Sequence, residues 1–221
     1  MSTTTLALYG HPFSSYTWKA QIALHAAGLE YELRELGPEH PENGEFLVAH
    51  SGPWGKFPVL VDGGHVLFEA SVIIEHLALH HASAAGLVPR DADAALPLRI
   101  MDRVFDNYVM TPMQDVVSEH LRDAAAPDVA RCAEARGRLE RSYAWLEQWL
   151  ARWDRAGPTT MVECAAAPSL FYADWVHPIG EAFPLLQAWR ANLNARPEVA
   201  RCIEAARPYR GFFPLGAPDR D

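Results

Sequence analysis

The first 36 residues pass from an apolar run to a helical pattern and on to an alternating run, and this order constrains the fold most. Residues 5–9 form a short apolar strand candidate, and residues 31–36 alternate apolar and polar side chains as a second strand does. Between them, apolar residues recur at helical spacing over 18–26, and Gly28 suits the end of a helix. Because a helical crossover joins parallel strands, the two strands are predicted to pair in parallel.

A hairpin and another helix follow this unit. Residues 59–61 and 65–68 are strand-like, and Asp62-Gly63-Gly64 between them is a turn sequence. Residues 37–55 are rich in proline and glycine and are predicted to be a loop. Residues 70–81 have helical spacing, and the side chains predicted to face the core are Val72, Ile73, Ile74 and Leu77. The sequence therefore predicts an α/β first domain over residues 1–85, in the order β-α-β-loop-β-β-α.

After a predicted linker at residues 84–90, only helical periodicity remains. Asp128 suits the N-cap of a long amphipathic helix reaching residue 153, and Pro112 is expected to kink or interrupt the helix before it. Thr160 and Glu163 have the spacing of a capping box that opens a further apolar helix. One or two helices are expected over 183–206, and the tail 207–221 is predicted to be extended. The second domain, residues 86–221, is predicted to be all-helical.

Charge and cysteine content exclude several classes of protein. The formal net charge of −9 argues against a nucleic-acid partner, which needs a basic face. No apolar run approaches the ~18 residues of a membrane helix, and the first residues lack the pattern of a signal peptide. Cys132, Cys164 and Cys202 are an odd number without a Cys-x-x-Cys pair. We expect reduced, mostly buried thiols in a cytoplasmic protein.

Polar groups in the first domain fall in three segments that are expected to converge. Two of the segments begin helices, whose free N–H groups favour anions. The bond before a proline at a strand start is a candidate for the cis form, which would present the preceding backbone amide to a ligand. A carboxylate beside a helix N-terminus suits the ammonium of a zwitterion. The segments are Ser14-Ser15, Lys56-Phe57-Pro58 and Glu69-Ala70-Ser71.

These motifs, in this order, resemble the cytosolic glutathione S-transferases of the serine type. The matching stretches are Tyr9-Gly10-x-Pro12-x-Ser14, Lys56-Phe57-Pro58-Val59-Leu60, Glu69-Ala70-Ser71-Val72-Ile73-Ile74 and Thr160-x-x-Glu163. Ser14-Ser15-Tyr16 is also similar to the Ser-Ser-Cys of the zeta class, with Tyr16 where that class has cysteine. The resemblance implies a thioredoxin-like glutathione-binding domain followed by an all-helical domain, glutathione as co-substrate, and a homodimer.

The resemblance also implies roles for single residues. Ser14 would donate its hydroxyl to the glutathione sulfur, with Ser15 as the second catalytic candidate and Tyr16 as a third. The remaining glutathione contacts would come from the backbone at Phe57 and Pro58, from Lys56 and His40 near the glycyl carboxylate, and from Glu69 and the Ala70 N–H at the γ-glutamyl end. A pocket for a small hydrophobic electrophile would be lined by Phe13, Tyr16, Arg103, Asn107 and Tyr108.

A hydroxyl beside the sulfur makes physical sense. An ordinary thiol with a pKa near ~8.5 is only about 3% thiolate at pH 7. Lowering that pKa by roughly 2 requires about 2.7 kcal/mol, which one hydrogen bond and a helix dipole together supply. The activity that the resemblance implies is transfer of glutathione to an alkyl or aryl electrophile.

Two other functions are consistent with the same sequence. One is a glutathione-dependent isomerase resembling maleylacetoacetate isomerase, for which Arg103 is the one obvious basic group on the pocket helix. The other is a non-catalytic glutathione-binding or assembly module, in which Ser14 only caps its helix. Ala70 departs from many family members, which have serine there, and so loses one hydroxyl contact.

Histidines at positions 76 and 80 stand four residues apart, which is a metal-ligand spacing on a helix. Leu77 occupies the place where a zinc protease needs glutamate. The sequence therefore predicts no metal site.

Overall fold

The computed structural model describes residues 6–154 and 156–221, so Thr5 at the start of the first predicted strand lies outside the described residues. The chain divides into two compact units. One runs to Leu98 and includes Thr159–Cys164, and the other comprises Arg99–Pro158 and Ala165–Asp221. The sequence pattern places the end of the first domain at residue 85, but the contacts between residues extend the first unit to Leu98. The Met161 N–H, for example, donates to the Leu87 carbonyl at 2.9 Å.

The first unit is built on a four-stranded sheet with the order β2-β1-β3-β4. β1 (Leu6–Gly10) and β2 (Tyr31–Glu35) are parallel, as predicted. β3 (Val59–Asp62) is antiparallel to both β1 and β4 (His65–Phe68). The predicted hairpin is confirmed, with Gly63 at a positive φ of 58° in the two-residue turn.

Three helices of the first unit are α1 (Ser15–Ala26), α2 (Pro41–Ser51) and α3 (Ala70–His80). The prediction of a loop over 37–55 was wrong for α2. Pro41 lies in the first turn, where proline is tolerated, and the Asn43 side chain donates to the Glu35 carbonyl at 2.9 Å. The prediction for Val72 was also wrong, because Val72 is 48% exposed while its neighbours Ile73 and Ile74 are fully buried. Its position on α3 faces away from the sheet.

Beyond the first unit's strands, the chain is helical, as predicted. None of the helices in the described ranges combines the length and the hydropathy that crossing a bilayer requires. The elements are α4 (Ala92–Val104), a π-helical segment (Phe105–Met110), α5 (Thr111–Arg122), α6 (Val129–Leu150), α7 (Met161–Val176), α8 (Pro184–Ala195), α9 (Pro197–Ala206) and a 3-10 helix (Arg207–Phe212).

Two proline-related expectations have different outcomes. Pro112 lies in the first turn of α5, directly after the π-helical segment, so the regular helix is interrupted here as expected. The tail was predicted to be extended, but Arg207–Phe212 forms a 3-10 helix. Aromatic packing accounts for its order, because Phe213 is buried and its ring meets Trp175 edge-on at 5.1 Å between centroids.

All three cysteines are buried and outside any disulfide, as the sequence predicts. Burial raises the pKa of the Cys202 thiol well above its ordinary value. A thiol with a raised pKa is a weak nucleophile, so Cys202 serves packing within its helix.

The predicted capping box at the start of α7 is confirmed. The Glu163 carboxylate accepts hydrogen bonds from the Thr160 N–H at 2.9 Å and the Thr160 hydroxyl at 2.5 Å, and the Val162 N–H donates to Thr160 Oγ1 at 3.2 Å. Glu163 is 2% exposed, so these bonds satisfy a buried carboxylate.

Replacing Glu163 by alanine is expected to lower the free energy of unfolding by about 2 kcal/mol, because the Thr160 N–H is left without its acceptor in a buried place. Glu163→Gln is the matched control, since glutamine retains an acceptor oxygen at the same reach. Urea unfolding followed by circular dichroism measures both variants. Equal losses in the two variants would mean that the charge of Glu163, rather than the cap, stabilises this helix.

Candidate functional site

The sheet register brings three of the predicted site segments to one end of the sheet. Tyr9 pairs with Val59, and Val59 pairs with Phe68. β1 therefore ends, β3 begins and β4 ends side by side. Because neighbouring strands lie about 4.8 Å apart, the loops that follow or precede them emerge within about 10 Å of one another. β2 is parallel to β1 and ends there too, so the segment carrying His40 leaves from the same end.

Ser14 is the N-cap of α1. Its hydroxyl oxygen accepts from the Thr17 N–H at 3.3 Å, and its backbone is extended, with φ −92° and ψ 125°. A serine hydroxyl that accepts one hydrogen bond still has its own proton to donate, so capping and donation to a ligand are compatible. Ser15 is only 7% exposed, whereas Ser14 is half-buried. Of the two candidate hydroxyls, Ser14 is the more accessible.

The loop between β1 and α1 is tied to the helix that it precedes. The Trp18 indole N–H donates to the Pro12 carbonyl at 2.6 Å, and the His11 N–H donates to Thr17 Oγ1 at 3.3 Å. The half-buried Phe13 directly precedes Ser14, and the half-buried Tyr16 follows it by two residues. These bonds hold the loop in place at the start of α1.

His11 contributes a further bond in this loop. Its Nδ1 accepts from the Phe13 N–H at 3.1 Å. Burial lowers the pKa of His11 below its ordinary value, and the negative charge of Glu35 opposes this only partly. The imidazole is therefore neutral at neutral pH, which leaves Nδ1 free to accept the hydrogen bond.

The second segment contains a cis peptide bond between Phe57 and Pro58, as the sequence suggested. Pro58 is buried, Phe57 is half-buried, and Lys56 is exposed. His40 is exposed as well, and its Nδ1 lies 3.5 Å from a Glu42 carboxylate oxygen. Two cationic or ionisable side chains thus stand in loops at this end of the sheet.

Glu69, at the N-cap of α3, has an unusual backbone. Its φ is 71° and its ψ is 111°, and it is the one non-glycine residue with positive φ among the described residues. Such conformations cost about 1–3 kcal/mol and concentrate at functional sites. Its carboxylate is exposed, and Ala70 behind it is buried at the first position of the helix. The backbone therefore presents this carboxylate next to the N–H groups of a helix N-terminus.

Sequence reasoning assigned no site role to Lys19, which the structure places beneath the same helix N-terminus. Lys19 is 1% exposed, and its ammonium donates to Ser71 Oγ at 2.9 Å. Ser71 lies in the first turn of α3. This hydrogen bond joins α1 to the first turn of α3. The one available signal was compositional, because Lys19 is one of only two lysines among 19 basic residues.

The second unit has a pocket of about 580 Å³ beside its π-helical segment. Asn107 and Tyr108, both predicted pocket residues, line it. Arg103 is absent from the lining, and its guanidinium instead donates to Asp102 at 2.5 Å and Asp106 at 2.7 Å. The other lining residues are Val104, Pro112, Arg138, Arg141, Ser142 and Trp145.

Sequence reasoning missed the α6 side of this pocket. Arg138, Arg141 and Trp145 recur at spacings of three and four, so they share one face of α6. That face is polar at two of three positions, and the pattern alone is typical of a solvated helix surface. Trp145 is 48% exposed, which makes it available to an apolar ligand.

The chain is similar in sequence to known glutathione S-transferases. Residues 4–79 match the family model described as the N-terminal domain of glutathione S-transferase. The chain is 28% identical to glutathione S-transferase 4 of Zea mays, over 98% of this chain and 97% of the maize protein. It is 30% identical to an uncharacterized GST-like protein of Escherichia coli, over 66% of this chain and 70% of the bacterial protein.

A solved structure extends the similarity to the whole fold. The chain is 27% identical to a glutathione S-transferase of Methylobacterium radiotolerans in complex with glutathione sulfonate, with a TM-score of 0.73. The alignment covers 90% of this chain and 95% of that one. The two-part architecture of sheet unit and helical unit is therefore the architecture of these relatives.

Proposed function

The chain belongs to the glutathione S-transferase family, and from this premise we propose that Ser14 activates the thiol of bound glutathione. The protein is a glutathione transferase with glutathione as its co-substrate. Glutathione supplies the nucleophile, so the chain needs no nucleophilic side chain of its own. The serine-type mechanism and the similarity to the zeta class belong to this proposal.

The observation that carries the proposal is the position of the Ser14 hydroxyl. It caps α1 through a lone pair, keeps its proton, and stands at the end of the sheet where the other binding segments emerge. A hydroxyl that donates to sulfur stabilises the thiolate more than the thiol, and a helix N-terminus does the same. Both lower the pKa of the bound thiol toward neutral pH. The burial of Ser15 supports Ser14 as the donor.

The remaining proposed contacts follow the charges of glutathione. The Glu69 carboxylate pairs with the γ-glutamyl ammonium, while the Ala70 N–H at the start of α3 donates to the γ-glutamyl carboxylate. The backbone at Phe57 and Pro58 pairs with the cysteinyl unit, and the exposed Lys56 and His40 attract the glycyl carboxylate. Each pairing joins opposite charges or a donor to an acceptor.

We further propose that the pocket beside the π-helical segment takes the hydrophobic electrophile. Its volume of about 580 Å³ lies within the range of small-molecule sites. Tyr108 and Trp145 offer aromatic surface, and Asn107 offers an amide. Phe13 and Tyr16, which the sequence also predicted as pocket residues, are not among the residues that line it. Arg103 becomes a weaker candidate, because two carboxylates already occupy its guanidinium.

Replacing Tyr108 by alanine is expected to raise KM for an aryl electrophile about tenfold. The Tyr108 side chain is 62% exposed and so is open to a ligand in the pocket, and the alanine variant lacks its aromatic ring. KM for glutathione should stay unchanged. Tyr108→Phe is the matched control, since it keeps the ring and removes the hydroxyl. Steady-state kinetics with each substrate varied in turn measure the effect. An increase in KM for glutathione alone would contradict this assignment of the pocket.

One observation favours the isomerase as a second candidate function. Arg141 is exposed and lines the pocket, whereas the guanidinium of Arg138 pairs with the Asp115 carboxylate, so Arg141 is the lining residue that brings positive charge. An isomerase acting on an acidic substrate needs such charge. The two functions differ in stoichiometry, because a transferase consumes one glutathione per turnover and an isomerase returns it. Assaying free thiol during turnover of an aryl halide and of an unsaturated dicarboxylate distinguishes them.

The proposal is tested by an ultraviolet pH titration of glutathione bound to the wild-type protein. Thiolate absorbance is expected to appear near neutral pH, well below the pKa of about 8.5 of a free thiol. Conjugation of an aryl halide should then follow the same pH profile. Binding without thiolate formation would instead indicate the non-catalytic module, with Ser14 acting only as a helix cap.

We also propose a homodimer located in the cytoplasm. Support for dimerisation comes from exposed apolar side chains along β4 and α3, namely Val66, Phe68, Val72 and Leu79. Support for the compartment comes from three unbridged cysteines. Light scattering coupled to size exclusion is expected to give twice the mass of one chain. A monomer would contradict the proposed homodimer.

A further inference from the structure

Four of the chain's ten histidines gather around one carboxylate at the far end of the sheet. We call Asp62, His65, His76, His80 and His81 the Asp62 cluster. Asp62 ends β3 and pairs across the hairpin turn with His65. The other three histidines belong to the last turns of α3 and to the residue that follows it. Because β3 begins and α3 begins at the glutathione end, the cluster lies at the opposite end of both elements.

Three members of the cluster converge on a single point. His76 Nε2 lies 2.9 Å from Asp62 Oδ2, and His81 Nε2 lies 2.7 Å from the same oxygen. These three potential ligand atoms all lie within 4.8 Å of one another. His76 is 7% exposed, while Asp62 and His81 are half-buried. The site is therefore held by the fold and remains open to solvent on one side.

The other two histidines of the Asp62 cluster, His65 and His80, lie beside the His76 ring. The His80 ring lies 4.4 Å from the His76 ring between centroids, and the His65 ring lies 5.3 Å from it. Both are exposed. Imidazole nitrogens thus outnumber carboxylate oxygens in the cluster. That composition suits borderline transition metals, whereas calcium and magnesium require several oxygen ligands.

We propose that Asp62, His76 and His81 form a binding site for a divalent transition-metal ion of the zinc class. Two imidazoles and one carboxylate with an open fourth position form a common donor set for zinc. Metal–ligand bonds of about 2.0–2.1 Å place tetrahedral ligands about 3.3 Å apart. The present separations of 2.7 and 2.9 Å reach that value with a shift of roughly half an ångström, which the half-buried side chains of Asp62 and His81 can make around the buried His76.

The site is separate from the glutathione site and independent of its chemistry. His76 lies six residues after Ala70, about 9 Å along α3, and Asp62 lies three residues after Val59, about 10 Å along β3. A bound ion joins the β3–β4 turn to the C-terminal end of α3. The metal therefore stabilises the first unit against unfolding, and it has no part in thiol activation.

The first test titrates ZnCl₂ into the untagged protein, because a histidine tag binds zinc itself. Isothermal calorimetry is expected to show one high-affinity site per chain, and the unfolding midpoint should rise by about 5 °C or more at saturating zinc. The same concentration of MgCl₂ should leave the midpoint unchanged. No saturable zinc binding would overturn the proposal.

Variants locate the site. His81→Gln and Asp62→Asn are each expected to weaken zinc binding at least tenfold, while the control His50→Gln, an exposed histidine of α2, should leave it unchanged. Zinc affinity that is unaffected by both cluster variants would mean binding elsewhere and would overturn the proposal. X-ray absorption at the zinc edge of the wild-type protein provides a readout that needs no variant. It should show two imidazoles and an oxygen donor, and a shell without imidazole would contradict the site.

Discussion

Replacing Ser14 by alanine is expected to raise the pKa of bound glutathione by about 1–2 pH units and to lower kcat/KM roughly tenfold to hundredfold. One hydrogen bond to a charged group contributes about 1.5–3 kcal/mol, and the alanine removes this bond from the thiolate. KM for glutathione should change little, because the tripeptide keeps its charged contacts. The ultraviolet titration of bound glutathione measures the pKa, and steady-state conjugation measures the rate.

Helix capping must be separated from thiol activation in this experiment. The Ser14 oxygen also accepts from the Thr17 N–H, so alanine is expected to cost about 1 kcal/mol of stability. Ser14→Gly removes the same hydroxyl while glycine serves nearly as well as a cap, so it should lose activity with little loss of stability. Ser15→Ala is the matched control for the neighbouring hydroxyl and should retain activity. Full activity in Ser14→Gly, or its loss in Ser15→Ala, would overturn the assignment of Ser14.

Replacing Glu69 by alanine is expected to weaken glutathione binding about tenfold to hundredfold, because the γ-glutamyl ammonium loses its carboxylate. Stability should remain near that of the wild type, since alanine retains a Cβ at the same positive φ of 71°. Glu69→Gly should lose affinity to the same extent but gain about 1 kcal/mol in free energy of unfolding. Glycine relieves the backbone strain at this position, which stabilises the folded state, but it also raises the conformational entropy of the unfolded chain. The expected gain is the difference between these two effects.

The comparison of these two variants tests whether the strain serves binding. Calorimetric titration of glutathione gives the affinity, and urea unfolding gives the stability. Glu69→Gln is the matched control for charge, because it keeps the length of the side chain and an acceptor oxygen. Undiminished affinity in Glu69→Ala would show that the exposed carboxylate has no part in glutathione binding. A loss of stability in Glu69→Gly would show that the positive φ carries no strain at this site.

Predictions from sequence succeeded where the deciding interactions are local. The hairpin turn depends on Gly63 and Gly64 between two strand-like runs, and the capping box depends on Thr160 and Glu163 three residues apart. Both bring partners together within a few residues, so their spacing is visible in the chain itself. The parallel pairing of β1 with β2 follows equally from the helix between them.

Predictions failed where a local preference was outweighed. Proline and glycine around α2 indicated a loop, yet burial of Leu47 and the bond from Asn43 to the Glu35 carbonyl hold a helix there. The tail was predicted to be extended, yet Phe213 packs on Trp175 and orders it. In each case a contact with a residue outside the element stabilises a structure that the local sequence disfavours. Such contacts produce no periodic pattern in the sequence.

The sequence by itself determined the four strands, the helices α1 and α3, the hairpin turn, the capping box, and the chemical types of the residues that we propose to contact glutathione. Only the tertiary structure decided which residues lie next to one another. It placed Tyr9, Val59 and Phe68 side by side, buried Ser15 beside an accessible Ser14, and brought Asp62 to His76 and His81, which follow it by 14 and 19 residues. The physical reason is that spacing along the chain reports only neighbours within one strand or helix. Sites that form across strands and helices depend on the register and packing of the folded chain.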